Sequence, residues 1–154
     1  MGHLRRVHAH AFHDGNHPRG YFVPEEHVIK GSFEIGDLKV TPLALPHGSM
    51  GSTGYLFQQG GEKKLAYLTD AKAVPEEVVQ AVKGVEVAVL DALRPEEHWT
   101  HMSTSEALSA AEQIGPGETV FTHLTHYYDH DIDQAKLPRG VRLAWDGLRV
   151  IFNS

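Results

Sequence analysis

Four short apolar segments of this chain each run into a histidine or an aspartate: LKVTPLALP into His47, KLAYLT into Asp70, VEVAVL into Asp91 and TVFT into His123. Runs of this length, rich in β-branched and aromatic residues and bounded by turn residues, read as strands. A carboxylate or imidazole at the end of a buried strand is costly unless it is hydrogen-bonded or coordinates something. If the four strands lie side by side in one layer, those groups converge on one rim; spacing alone does not put them there. Asp70 has the bland alternative of an N-cap for the next helix. The stretch after the last strand, THLTHYYDHDID, packs three histidines and three aspartates into a dozen positions. It reads either as part of a metal site, imidazole being the commonest metal ligand, or as a solvated loop.

The rest of the chain fits a layered α/β arrangement. Residues 1–30 show no clean period and are expected to be loop-rich. SFEI, the pair Gly36 and Asp37, and LKVTPLAL predict a hairpin, with Pro42 pushing the second strand towards a sheet edge because proline cannot donate to a ladder. GSMGSTG after His47 predicts a glycine-rich loop that lets backbone approach a site. Tyr55 to Gln59 and Lys64 to Thr69 form a second hairpin across Gly60 and Gly61. EEVVQAV, with Pro75 before it and Gly84 after it, predicts a short helix. Ser103 and Glu106 have capping-box spacing ahead of a longer helix that Gly115 and Pro116 stop, which leaves His98 and His101 in the loop before its N-terminus. A single helical turn over Gln134 to Leu137 and a closing hairpin over Val141 to Phe152 complete the expectation.

Composition narrows the functional classes. A net charge of -6 argues against a nucleic-acid backbone as the main partner, which clustered Lys and Arg would serve. There is no apolar run long enough to span a bilayer and no secretory core near the N-terminus, so a soluble cytoplasmic protein is expected. The absence of cysteine leaves only His, Asp and Glu to hold a metal, and 12 histidines are the compositional outlier. One domain is expected over residues 1–154.

The ordered set LPHG (Leu45 to Gly48), YLTDA (Tyr67 to Ala71), LDALR (Leu90 to Arg94), HWTHMS (His98 to Ser103), THLTH (Thr122 to His126) and AWDGL (Ala144 to Leu148) resembles the metallo-β-lactamase superfamily. Within it, the resemblance is to the phosphodiesterase branch whose best-known member acts in phosphonate breakdown. It runs from about His27 to Phe152 and implies half or more of an αββα sandwich, with mixed, largely antiparallel sheets and flanking helices. It further implies a two-metal centre of zinc or manganese and a small phosphodiester substrate. His47 inherits a ligand role to the first metal, Asp70 the bridge between both, and His123 a ligand role to the second. His101 inherits the catalytic role of proton or hydrogen-bond donor near the scissile phosphate. Asp91, His98 and His126 are expected to support those residues or the fold.

One signature departs from the resemblance. The superfamily's HxHxDH motif, which supplies ligands to both metals, has only HAHAFHD (His8 to Asp14) as a counterpart, with Phe12 where the aspartate belongs. That stretch reads as a chance likeness, and the chain as the C-terminal part of a family member, a metal-dependent phosphodiesterase left impaired or incomplete. Partial metal occupancy, little hydrolysis by this chain alone, and a homodimer covering surface that the missing layer would expose are then expected. The alternatives are a non-catalytic metal-binding remnant and a histidine-rich metal-binding domain using His8, His10 and His13.

Overall fold

The computed structural model describes residues 2–12, 20 and 22–152. Residues 1–30 and 31–154 form two compact units. In the first, expected to be loop-rich, the described residues carry a short helix, α1 (Gly2–Val7), and a 3-10 turn (Ala9–Ala11), with the Arg5 guanidinium bonded to the Glu26 carboxylate at 2.6–3.1 Å. His8 and His10 sit here with ring centroids 6.0 Å apart; His13 and Asp14 of the same stretch lie outside the described residues.

The second unit is built on a seven-stranded sheet whose spatial order equals its chain order: β1 (Phe33–Ile35), β2 (Leu38–His47), β3 (Met50–Gln59), β4 (Glu62–Leu68), β5 (Val87–Asp91), β6 (Glu118–Thr122) and β7 (Val141–Leu143). Pairing is antiparallel from β1 to β4 and parallel from β4 to β7, so the antiparallel character stops at β4. Parallel neighbours need crossovers, and helices α2 (Glu76–Val82) and α3 (Thr104–Ile114) lie in the first two of the three. Parallel pairing gives β4, β5 and β6 one direction, and their C-terminal ends therefore open on one rim, where the end of antiparallel β2 joins them.

Local chemistry explains most boundaries. Ser103 and Glu106 form the reciprocal capping box at the start of α3, and Gly115 closes it in the left-handed conformation. Pro42 is accommodated because β1 pairs β2 only over Leu38 to Val40, leaving the rest of that side of β2 without a partner strand among the described residues. The segment after His47 departs from expectation: only Gly48 and Ser49 turn, and the remainder is strand β3. Gly54 is needed there because a Cβ would fall 2.9 Å from the Tyr67 carbonyl oxygen, with Leu68 Cδ2 at 2.7 Å and Leu45 Cδ1 at 2.9 Å crowding it further. The helical turn expected over Gln134 to Leu137 begins earlier, as α4 (His130–Gln134), because the Asp129 carboxylate accepts from the Ile132 N–H at 3.0 Å. The closing hairpin is absent among the described residues. The chain does turn at Asp146 and Gly147, but β7 has only three residues and they pair with β6.

The core lies on the face covered by α2 and α3, where Leu43, Leu56, Leu68, Leu90, Phe121 and Leu143 meet Val82 and Ile114. The strand register puts Tyr55, Phe57, Leu65, Tyr67 and Val89 on the opposite face, and Tyr67 is 42% exposed. No described helix is long and apolar enough to cross a membrane.

Phe121 is fully buried, so Phe121→Ala should lower unfolding free energy by about 3–5 kcal/mol, whereas Ser103→Ala at the cap should cost about 1 kcal/mol. Urea denaturation followed by far-UV circular dichroism measures both.

Candidate metal-binding rim at the strand ends

Two residues of the rim adopt a backbone conformation that L-residues other than glycine rarely take. Asp70, just past β4, has φ +54° and His123, just past β6, has φ +61°. Each such position costs about 1 kcal/mol or more, and it persists where the surroundings over-determine it. The surroundings here are backbone hydrogen bonds that stitch the loops together. The Lys72 N–H donates to Pro46 O (2.8 Å), the Met102 N–H to Ala71 O (3.0 Å), the Leu93 N–H to Met102 O (3.0 Å) and the Ala92 N–H to Thr122 O (3.1 Å). Ser52 Oγ donates to the carbonyl of Asp70 itself at 2.6 Å. The four strand ends are thus tied pairwise across the rim.

Asp91 is the anchor beneath this layer. Its carboxylate is fully buried, and Oδ2 accepts from His101 Nδ1 at 2.6 Å and from the Ala71 N–H at 3.0 Å. One oxygen therefore fixes both the imidazole of His101 and the residue following Asp70. Oδ1 of Asp91 is buried with no partner among the described residues. With Nδ1 held by a carboxylate, Nε2 is the nitrogen His101 has left for chemistry.

His47 is oriented in the same way by a different partner. Its Nδ1–H donates to the carbonyl of Thr100 at 3.1 Å, which fixes the tautomer and leaves the Nε2 lone pair for a ligand. Thr100 is in turn tied to His98, whose Nδ1 accepts from the Thr100 N–H at 3.3 Å and lies 3.1 Å from Thr100 Oγ1. Desolvation, then the positive charge of Arg94, holds the His98 imidazole below its ordinary pKa, so it stays neutral as that acceptor.

These arrangements bring His47, Asp70 and His101 together, with one ligand-type atom from each lying within 4.8 Å of the others. His123 stands beside them, its Nε2 3.4 Å from Asp70 Oδ1 and its ring stacked on His101 at 4.8 Å. His47 meets His101 edge-on at 4.7 Å. All four residues that the sequence resemblance marked are thus neighbours on one rim. His126 is not among them; it is exposed and tilts against Tyr127 at 4.4 Å. Among the described residues no other group of three metal-capable side chains occurs, and His8 and His10 form none. The Thr100 carbonyl contact has no sequence signal, since backbone acceptors leave no motif. The double acceptor role of Asp91 was foreshadowed only by its place at a strand end.

The donor set suits a divalent cation. Imidazole and carboxylate are ligands that zinc and manganese accept, and two of the imidazoles already have the opposite nitrogen hydrogen-bonded, the arrangement that orients metal-bound histidines.

Comparison with known proteins agrees with the fold. The model of the beta-lactamase superfamily domain matches residues 2–124. A protein of Porphyromonas gingivalis named octanoyltransferase is 32% identical over 123 residues, which are 79% of this chain and 24% of that protein. Among solved structures, a new diphosphatase from the PhnP family superposes with a TM-score of 0.82 at 30% identity, covering 97% of this chain and 54% of the other. Zn(2+)-bound PqqB from Methylobacterium extorquens superposes at 0.66 with 18% identity, covering 83% of this chain and 55% of the other. The chain spans about a quarter of the curated relative it matches and about half of each of these two structures.

Asp91→Ala should leave the Ala71 N–H and His101 Nδ1–H without their acceptor, at about 1–3 kcal/mol for each stranded group. Denaturation should show the loss, and ¹⁵N NMR of the imidazoles should show a change in the tautomer of His101 while that of His47 stays fixed.

Proposed function

Since residues 2–124 carry the family match, this chain belongs to the metallo-β-lactamase superfamily, and we propose that its rim is the metal-dependent hydrolytic centre of a phosphodiesterase, or of part of one. The observation that carries this reading is the convergence of His47 at the end of β2 with Asp70 and His101 from two separate loops, one ligand-type atom of each within 4.8 Å of the others, with His123 beside Asp70. The choice of a phosphodiester leans on the motif set and on the likeness to a diphosphatase of the PhnP family.

His47, Asp70 and His123 would hold the ion, zinc or manganese. When bound, it supplies Lewis acidity towards a phosphoryl oxygen and towards water. The chain's own residues provide positioning and proton transfer. Thr100 and Asp91 hold the two imidazoles in fixed tautomers, and the pairwise loop bonds hold them in place. His101, paired through Nδ1 with the Asp91 carboxylate, carries a proton on Nε2 in its imidazolium form. In diester hydrolysis a water oxygen bonds to phosphorus, the bond from phosphorus to the leaving oxygen breaks, that Nε2 proton passes to the leaving oxygen, and the attacking water sheds one proton to solvent, from which the imidazole is reprotonated. Asp91 stabilises the imidazolium before transfer and retains the ring's orientation after it.

A second reading, a metal-binding chain with little turnover, is favoured by the number of donors. Those grouped among the described residues amount to about one ion's worth of protein ligands, short of a two-ion centre. Weak occupancy and slow turnover by this chain alone follow. The sheet face carrying Tyr55, Phe57 and exposed Tyr67 supports self-association of the chain as a homodimer. Sedimentation analysis should show a dimer that Tyr67→Lys dissociates.

Asp70→Ala should abolish hydrolysis of bis(p-nitrophenyl) phosphate with added Mn²⁺ or Zn²⁺, and equilibrium dialysis should show at least tenfold weaker metal binding. His101→Ala should lower turnover about 10²- to 10⁴-fold while metal binding persists. His123→Ala should weaken metal binding itself. The reverse pattern would exchange the roles of these two histidines.

A further inference from the structure

The loop that delivers His98 and His101 to the rim also delivers a tryptophan that the proposed chemistry does not use. Trp99 is 74% exposed, although an indole is among the largest apolar surfaces a chain can bury. Its ring is not loose in solvent: the benzo edge lies against Gly48, where a Cβ would fall 3.0 Å from Trp99 Cζ3 and 2.7 Å from Thr100 Cγ2. Gly48 follows His47, and its φ of +59° suits the tight turn that swings the chain back into β3. Met50, which pairs with His47 across that turn, is 72% exposed. An open aromatic and thioether shelf therefore adjoins His47, one residue from a donor atom of the rim. The His98 ring flanks the indole at 6.2 Å and continues the shelf towards His101.

A polar metal site needs no exposed indole at its mouth, and burial against Gly48 accounts for only one edge of the ring. We infer that Trp99 determines specificity by stacking a planar aromatic ester arm of the substrate, a nucleoside base by type, while the phosphoryl group sits at the rim beside His101. The shelf offers one tryptophan, room for one base, and the chain's net charge of -6 disfavours a polymeric phosphate backbone. The ligand class is thus a mononucleotide-sized diester. This inference rests on the hydrolytic reading for the position of the phosphoryl group but not for the stacking itself.

Calorimetric titration of the full chain with Mn²⁺ present, using adenosine 5′-monophosphate and ribose 5-phosphate as probes, separates base from phosphate recognition. Stacking of one base predicts that the nucleotide binds about ten- to a hundredfold more tightly than the sugar phosphate. Trp99→Ala should erase that preference and Trp99→Phe should retain most of it; the exposure of the side chain makes both variants safe for folding. Equal or undetectable binding of the two probes by the wild type, or a preference that survives in Trp99→Ala, would overturn the inference. Turnover of bis(p-nitrophenyl) phosphate that disappears in Asp70→Ala reads the hydrolytic centre separately. Turnover without nucleotide preference removes the platform alone, and preference without turnover keeps the platform and removes the hydrolytic reading.

Discussion

The rim depends on one buried oxygen. Oδ2 of Asp91 accepts from His101 on the α3 side and from the Ala71 amide on the β4 side, so it joins two loops that the sequence separates by thirty residues. Burying a carboxylate costs several kcal/mol unless it is hydrogen-bonded, and here the bonds that lower that cost also set the geometry of the site. Removing the charge would therefore damage fold and chemistry through the same two contacts. The positive φ at Asp70, one residue from the Ala71 amide, is held in part from that oxygen.

Sheet topology explains why groups so far apart in sequence meet. Once β4, β5 and β6 run parallel, their C-terminal ends share a side by construction, and the β2–β3 turn lies on the same side because β3 returns antiparallel into β4. Loops are then free to carry polar groups that a strand interior would reject. The helices serve the site indirectly: each crossover restores the chain to the far end of the sheet so that the next strand can again finish at the rim. The capped N-terminus of α3 follows His101 by two residues, which places the HWTH loop over the strand ends rather than along the sheet.

Much of this was legible in the sequence because it rests on local chemistry. Capping residues at Ser103 and Glu106, glycines at 84 and 115, and strand runs ending in His47, Asp70, Asp91 and His123 leave signals in residue type and spacing. What was hidden depends on partners remote in sequence. The glycine-rich segment after His47 reads as a loop in isolation, yet at position 54 of strand β3 a Cβ would fall 2.9 Å from the Tyr67 carbonyl oxygen, a backbone atom that cannot move aside as a leucine tip can. The turn at Asp146 and Gly147 promised a hairpin from local preference, but β7 is already paired with β6 and the residues beyond it form no ladder. Likewise, motif order singled out His47, Asp70, His101 and His123, whereas the hydrogen bonds that select a nitrogen on His47 and His101 come from a backbone carbonyl and a buried acid.

The coincidence of spatial and chain order in the sheet bears on how the protein assembles its rim. Every strand pairs with its neighbour in sequence, so assembly can proceed stepwise from either end without threading a strand between two already in place. The antiparallel half can zip early from its short turns, while the parallel half waits for three crossovers. Because the rim draws side chains from both halves, a folding intermediate holding only the hairpins would present His47 with Asp70 but with neither His101 nor His123. Completion of the rim thus marks the last docking events of folding, and the approach of His47 to His101 and His123 in a refolding chain would serve as a clock for them.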